Sequence, residues 1–110
     1  MGYNSNFVIS KYNEENNRYE TISKEEIEKL NEISNYRFDG PYLYETNWYS
    51  IIEDMQKFSK IYPNYKWIVE QEGEDRDDYR KYIFKNGKYK ELYATVNIIY
   101  PKEEEIEWRE

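Results

Sequence analysis

Trp48, Ile51, Ile52, Met55, Phe58 and Tyr62 fall at helical spacing, and Pro63 follows immediately. Only an α-helix gathers residues so spaced onto one face. Proline disfavours helical backbone in the residue before it, so the helix must stop at Tyr62. Glu53, Gln56, Lys57 and Lys60 occupy the opposite, polar face. The spacing therefore predicts an amphipathic helix capped by Asn47 or Thr46, with an apolar stripe that other parts of the chain must cover.

The cover is legible downstream as strands. Tyr65 to Gln71 alternates, with Tyr65, Trp67 and Val69 on one face and Lys66, Ile68 and Glu70 on the other. Tyr79 to Lys85 reads as a second strand, and Asn86-Gly87 as a type I′ hairpin turn. The partner strand is expected from Lys88 to Tyr100, where Leu92, Ala94, Val96 and Ile98 alternate with Tyr93, Thr95 and Asn97 until Pro101. Upstream, a strand over Tyr3 to Tyr12 contains Phe7-Val8-Ile9, and the polar Asn13–Asn17 turn leads to a short strand at Arg18 to Thr21. Ser23 and Glu26 form a capping box, flanked by Ile22 and Ile27, and Ile27, Leu30 and Ile33 trace a stripe along a helix from Lys24 to Asn35. Phe38-Asp39-Gly40-Pro41 breaks the chain, and a loop is expected to continue to Thr46.

This order predicts an α+β two-layer sandwich: a mostly antiparallel sheet with two helices on one face. Residues 1–101 form one domain. Residues 102–110, with five glutamates, are expected to fray as an acidic tail. Trp48, Ile51, Ile52, Met55, Phe58, Trp67, Val69, Leu92, Val96 and Ile98 are expected to share one core.

Composition narrows the chemistry. The 110 residues include no histidine and no cysteine, so there is no ordinary neutral-pH titrating side chain and no thiolate. Acids outnumber bases 23 to 16, giving a net charge of −7. That disfavours direct nucleic-acid binding and anionic membranes, and favours a basic partner. No apolar run approaches the roughly 20 residues of a membrane span, and Met1-Gly2-Tyr3-Asn4 opens no signal peptide, so an intracellular protein is expected.

Glu70, Glu72, Glu74, Asp75, Asp77 and Asp78 crowd one stretch, opposed only by Arg76. Three readings are open: a solvated loop, a mimic of a phosphate backbone that enters a partner's Lys/Arg channel, or a calcium loop, whose spacing is not met. The serines lack a histidine partner, the four glycines are scattered, and no pair of carboxylates stands out for glycoside hydrolysis. No catalytic residue, cofactor or metal is therefore expected. Fourteen tyrosines remain. Tyr62, Tyr65, Tyr82 and Tyr100 are expected to help build the core, and Tyr42, Tyr44, Tyr49, Tyr89 and Tyr93 to be exposed, either as sheet packing or as a contact face.

Trp48-Tyr49, Glu53-Asp54-Met55, Phe58-Ser59-Lys60, Tyr62-Pro63, Trp67-Ile68-Val69, Gly73-Glu74, Asp77 and Phe84-Lys85-Asn86-Gly87-Lys88 together resemble the YubB-like group of small phage- and plasmid-encoded proteins. The resemblance covers Trp48 to Lys88, less than half of the chain. It implies a ferredoxin-like domain from a mobile element, with no catalytic motif to carry over. Small acidic phage proteins often inhibit bacterial defence. The expectation is a non-enzymatic inhibitor of a host defence protein, such as an anti-CRISPR, acting in the bacterial cytoplasm. Its acidic surface would occupy a basic nucleic-acid channel and its tyrosines would anchor the contact. An accessory phage protein acting through protein contacts is the alternative, and an enzyme using buried carboxylates comes third. An exposed edge strand leaves a homodimer open.

Overall fold

Phe7 and Ile9 alternate with Val8 and Ser10 along β1 (Ser5–Asn13), and that alternation organises the whole sheet. The computed structural model describes residues 4–73, 79–94 and 100–110. After β1 come β2 (Arg18–Glu20), α1 (Lys24–Ser34), β3 (Tyr42–Thr46), α2 (Ile51–Ile61), β4 (Lys66–Glu72), β5 (Tyr79–Lys85), β6 (Lys88–Tyr93) and a 3₁₀ turn at Glu103–Glu105. The six strands form one antiparallel sheet in the order β2-β1-β4-β5-β6, and β3 also pairs with β1. β4 runs along one whole edge of β1. The two short strands share the other edge, β3 against Ser5–Val8 and β2 against Lys11–Asn13.

The strand at Tyr42–Thr46 replaces the loop expected there. Its ladder is irregular, because Glu45 adopts a positive φ of 48° and bulges the strand between the pairs Phe7–Leu43 and Ser5–Thr46. Asn6 Oδ1 accepts the Glu45 N–H at 2.8 Å and holds the bulge.

α1 begins as its capping box requires. Ser23 Oγ accepts the Glu26 N–H at 3.1 Å, and Glu26 Oε1 accepts the Ser23 N–H at 2.8 Å. α2 begins later than expected, with Ser50 rather than Thr46 or Asn47 at the cap. Trp48 precedes the helix. Its indole Nε1–H donates to Asp54 Oδ2 at 2.7 Å, and Ser50 Oγ donates to the same oxygen at 2.8 Å. The approach to the helix is thus tied down by a first-turn carboxylate.

Both helices cover one face of the sheet. Phe58 packs edge-on to Trp67 with centroids 4.7 Å apart, and Leu30, Met55, Val69, Tyr82 and Phe84 complete the centre of this core. Tyr62 and Tyr65 pack against it, as expected. Leu92 does not join it. Register places Leu92 opposite Lys81 on the far face, where it forms a second cluster with Ile68 and Ile83. Ile52 is only partly buried, and Val96 and Ile98 lie outside the described residues.

The second cluster has its own cover. Tyr100 and Ile106 pack on it, and Arg109 pairs with Tyr89 through two backbone hydrogen bonds of 2.6 Å. The glutamate-rich segment expected to fray therefore crosses the outer face and engages the β6 edge. Beneath it Lys66 and Lys90 are buried. Glu103 Oε2 lies 2.7 Å from Lys66 Nζ and 3.8 Å from Lys90 Nζ, and Lys90 Nζ sits 4.5 Å from the Trp108 ring. Among the described residues, no helix is long and apolar enough to cross a membrane.

Candidate functional site

Tyr42 and Tyr44 stand two apart on β3, so both side chains leave the sheet on the same side. Leu43 between them is buried among the main core residues, which places the tyrosines on the outer face. Their rings stack at 5.7 Å with planes 12° apart, and both remain exposed, at 44 % and 55 %. Register carries the same face across the sheet. Tyr42 lies opposite Val8, Val8 opposite Glu70, and Glu70 opposite Lys81, while Asn6 lies opposite Glu72 and Glu72 opposite Tyr79.

These residues enclose a groove of about 290 Å³ whose walls include Tyr42, Tyr44, Tyr79, Tyr100, Glu70 and Glu72. Both glutamates are exposed. Burial pushes the Tyr100 hydroxyl above its ordinary pKa, and the negative charge of Glu70 and neighbouring Tyr79 push it the same way. Lys81 Nζ lies 5.4 Å from the Tyr100 centroid.

The groove joins two sets of residues that the sequence presents separately. Tyr42 and Tyr44 meet Glu70 and Glu72, although 26 or more positions separate them along the chain. The other candidates lie elsewhere. Tyr49, 82 % exposed, borders a cavity of about 300 Å³ at the start of α2. At that cavity Gln71 Nε2 donates to Ser5 Oγ at 3.0 Å and Tyr82 donates to Gln71 Oε1 at 3.3 Å. Tyr93 is exposed, and its hydroxyl donates to Glu91 Oε2 at 2.6 Å. That hydrogen bond, followed by burial, raises its pKa. Tyr89 is not the exposed residue expected. It is half-buried against the main core, 6.2 Å from Phe84, because its position on β6 faces the helices. Glu74, Asp75, Asp77 and Asp78 lie outside the described residues.

Tyr79 and Tyr100 are the site residues that sequence reasoning missed. Pairing of Tyr79 with Glu72 depends on hairpin register, and the place of Tyr100 depends on the C-terminal segment turning back over the sheet. Among the described residues, no group of three or more acids lies together as a metal ion would need. The site is a groove whose walls carry four tyrosine rings and two carboxylates. Comparison with protein-family models, curated proteins and solved structures found no match.

Proposed function

We propose that this chain is a non-enzymatic, phage-type inhibitor that binds a basic surface of a bacterial host defence protein, in the manner of an anti-CRISPR, within the host cytoplasm. The observation that carries this reading is the outer-face groove, where stacked, exposed Tyr42 and Tyr44 share walls with Glu70 and Glu72. Tyrosine supplies contact area at low entropic cost, and the carboxylates select a positive partner. The net charge of −7 would draw such a partner in and deter nucleic acid itself. The resemblance over Trp48 to Lys88 supports a mobile-element origin. It also supports a ferredoxin-like relationship for the sandwich, although six strands exceed what that fold typically has.

The test is affinity capture from bacterial host lysate with the native chain and with a Glu70→Lys/Glu72→Lys variant, followed by cleavage assays on the captured complex. The reading expects a nucleic-acid-binding defence protein that is inhibited by the native chain and released by the variant. Capture should also weaken as salt shortens the screening length from roughly 10 Å at 0.1 M. Capture of phage components alone, with no loss of defence activity, would favour the accessory-protein reading instead.

A further inference from the structure

Resting on the reading just given, we infer that the outer-face groove is a seat for a single arginine side chain projecting from the basic partner. Four tyrosines and two glutamates line it. Rings present a negative face to a cation, and a guanidinium slotted among them gains from both stacking and charge. A carboxylate at the mouth can take the forked N–H groups of the same guanidinium in bidentate fashion. Lysine's compact, strongly hydrated ammonium is attracted to a ring face, as Lys11 is to Tyr65, but it offers neither planar stacking nor a bidentate fork, so the wall chemistry favours arginine. A volume of about 290 Å³ admits one such side chain with its aliphatic stem and is small for a folded element.

The same chemistry recurs within the molecule where its cations are satisfied internally. Lys11 Nζ sits 4.2 Å from the Tyr65 centroid, and the Arg109 guanidinium sits 5.4 Å from that of Tyr89. Among the described residues, no cation lies over Tyr42, Tyr44 or Tyr79, and neither Glu70 nor Glu72 forms an ion pair. Lys81 reaches the Tyr100 ring and also borders the neighbouring hollow beneath the C-terminal segment, so it marks one end of the seat rather than filling it.

The probe is an acetylated, amidated Gly-Arg-Gly tripeptide, compared with its lysine and citrulline counterparts, titrated against the full chain while the tyrosine ring resonances are followed by NMR. The arginine peptide should shift the rings of Tyr42, Tyr44, Tyr79 and Tyr100 and leave Tyr49 and Tyr93 unmoved. Citrulline, isosteric but neutral, should not bind. Glu70→Gln/Glu72→Gln and, separately, Tyr44→Ala should each weaken the arginine peptide about tenfold or more, which corresponds to roughly 1.4 kcal/mol. All three residues are exposed, so an unchanged melting temperature would show that the variants fold. Equal binding of lysine or citrulline, shifts confined to other rings, or concentration-dependent self-association that buries the groove would each overturn the arginine seat. The broader reading fails separately. A defence protein captured equally by the native chain and by both groove variants would remove the seat and keep inhibition. Arginine-peptide binding with no inhibited partner would keep the seat and remove the inhibitor reading.

Discussion

Lys11 Nζ lies 3.0 Å from both carboxylate oxygens of Glu26, and both side chains are buried under the N-terminal turn of α1. Glu26 performs two tasks, since Oε1 also closes the capping box on the Ser23 N–H. Lys11 continues the inward row of Phe7 and Ile9, so its charge enters the helix-facing side of the sheet and is balanced there by Glu26 and the Tyr65 ring. Removing Lys11 strands the Glu26 charge in a poorly solvated place, and removing Glu26 leaves Lys11 there with only the longer contact to Glu20 Oε1 at 4.0 Å. Glu26→Ala should cost about 3–5 kcal/mol in urea unfolding. Lys11→Met/Glu26→Gln keeps the cap and removes both charges, and should lie within about 1.5 kcal/mol of the native chain, because well-packed apolar replacement of a buried pair is often neutral. A double variant as unstable as Glu26→Ala would show that the pair contributes more than mutual neutralisation.

The Asn86-Gly87 turn is held from beneath by α2. Gly87 N–H donates to Ser59 Oγ at 2.8 Å, and Gln56 Nε2 donates to Gly87 O at 2.9 Å. Asn86 and Gly87 have φ of 47° and 82°, the double positive pattern of a type I′ turn. A Cβ on Gly87 would also press on the Lys60 side chain, with Cγ and Cδ 3.0 and 3.2 Å away, so crowding adds to the cost of the backbone conformation. Gly87→Val should therefore destabilise the hairpin, seen as accelerated hydrogen exchange across β5 and β6. Ser59→Ala leaves the Gly87 N–H buried without its acceptor and should cost about 1–3 kcal/mol. Phe58→Ala, one residue earlier at the centre of the core, should cost about 3–5 kcal/mol.

The dependence of stability on pH follows from Glu14 and Lys66. The hydrogen bond from Lys85 leads the effects that hold the Glu14 carboxyl below its ordinary pKa, working against partial burial and with help from Lys66. A lowered carboxyl contributes stability above its unfolded value, and that contribution is lost as pH falls through the folded value. Burial of Lys66 acts to lower its pKa, but the hydrogen bond and charge of Glu103, joined by Glu14, outweigh it and leave the ammonium above the ordinary value. A raised ammonium contributes stability below its unfolded value and loses it as pH rises through the folded value. Thermal unfolding should thus show a plateau from about pH 5 to about pH 10 with a fall on each side. Glu14→Gln should flatten the acid limb and Lys66→Met the alkaline one. Tyr62 and Tyr100 have raised hydroxyl pKa values, mainly through burial, so they keep part of the alkaline limb in place.

Local signals were legible in the sequence and long-range ones were not. Ser23 and Glu26 cap α1 within one turn, and Asn86 and Gly87 close a hairpin by their own backbone preferences, so both could be read directly. β3 was hidden because it is five residues long, is bulged at Glu45, and gains its ladder from β1 more than thirty positions earlier. The alternation around Leu92 was visible, but which parity faced the helices depended on the β5–β6 register, and a second apolar cluster was not foreseen. The groove divides the same way. Spacing on β3 puts Tyr42 and Tyr44 side by side, whereas their meeting with Glu70, Glu72, Tyr79 and Tyr100 exists only in the folded sheet.

Glu103 and the segment that carries it offer the sharpest test of how the outer face is built. Composition alone made residues 102–110 look solvated, yet Lys66 and Lys90 form a cationic floor onto which Glu103 closes. Lys90 Nζ also donates to the Glu103 carbonyl at 3.1 Å, so backbone and side chain hold the same spot. Truncation after Pro101 removes the carboxylate and the cover together. The two lysines then regain water, and the loss should be limited to the partial burial of Ile106 and Trp108, about 1–3 kcal/mol. Glu103→Gln is the contrary case. The cover stays and the lysines remain buried, but their shared carboxylate is gone, which leaves Lys66 with Glu14 at 3.4 Å and Lys90 with no carboxylate among the described residues. Its cost should equal or exceed that of deleting nine residues, because an uncompensated buried charge is worse than an exposed one. Guanidinium melts of the two variants decide the matter. If Glu103→Gln proves nearly neutral while the truncation is severe, apolar cover rather than charge holds this segment down.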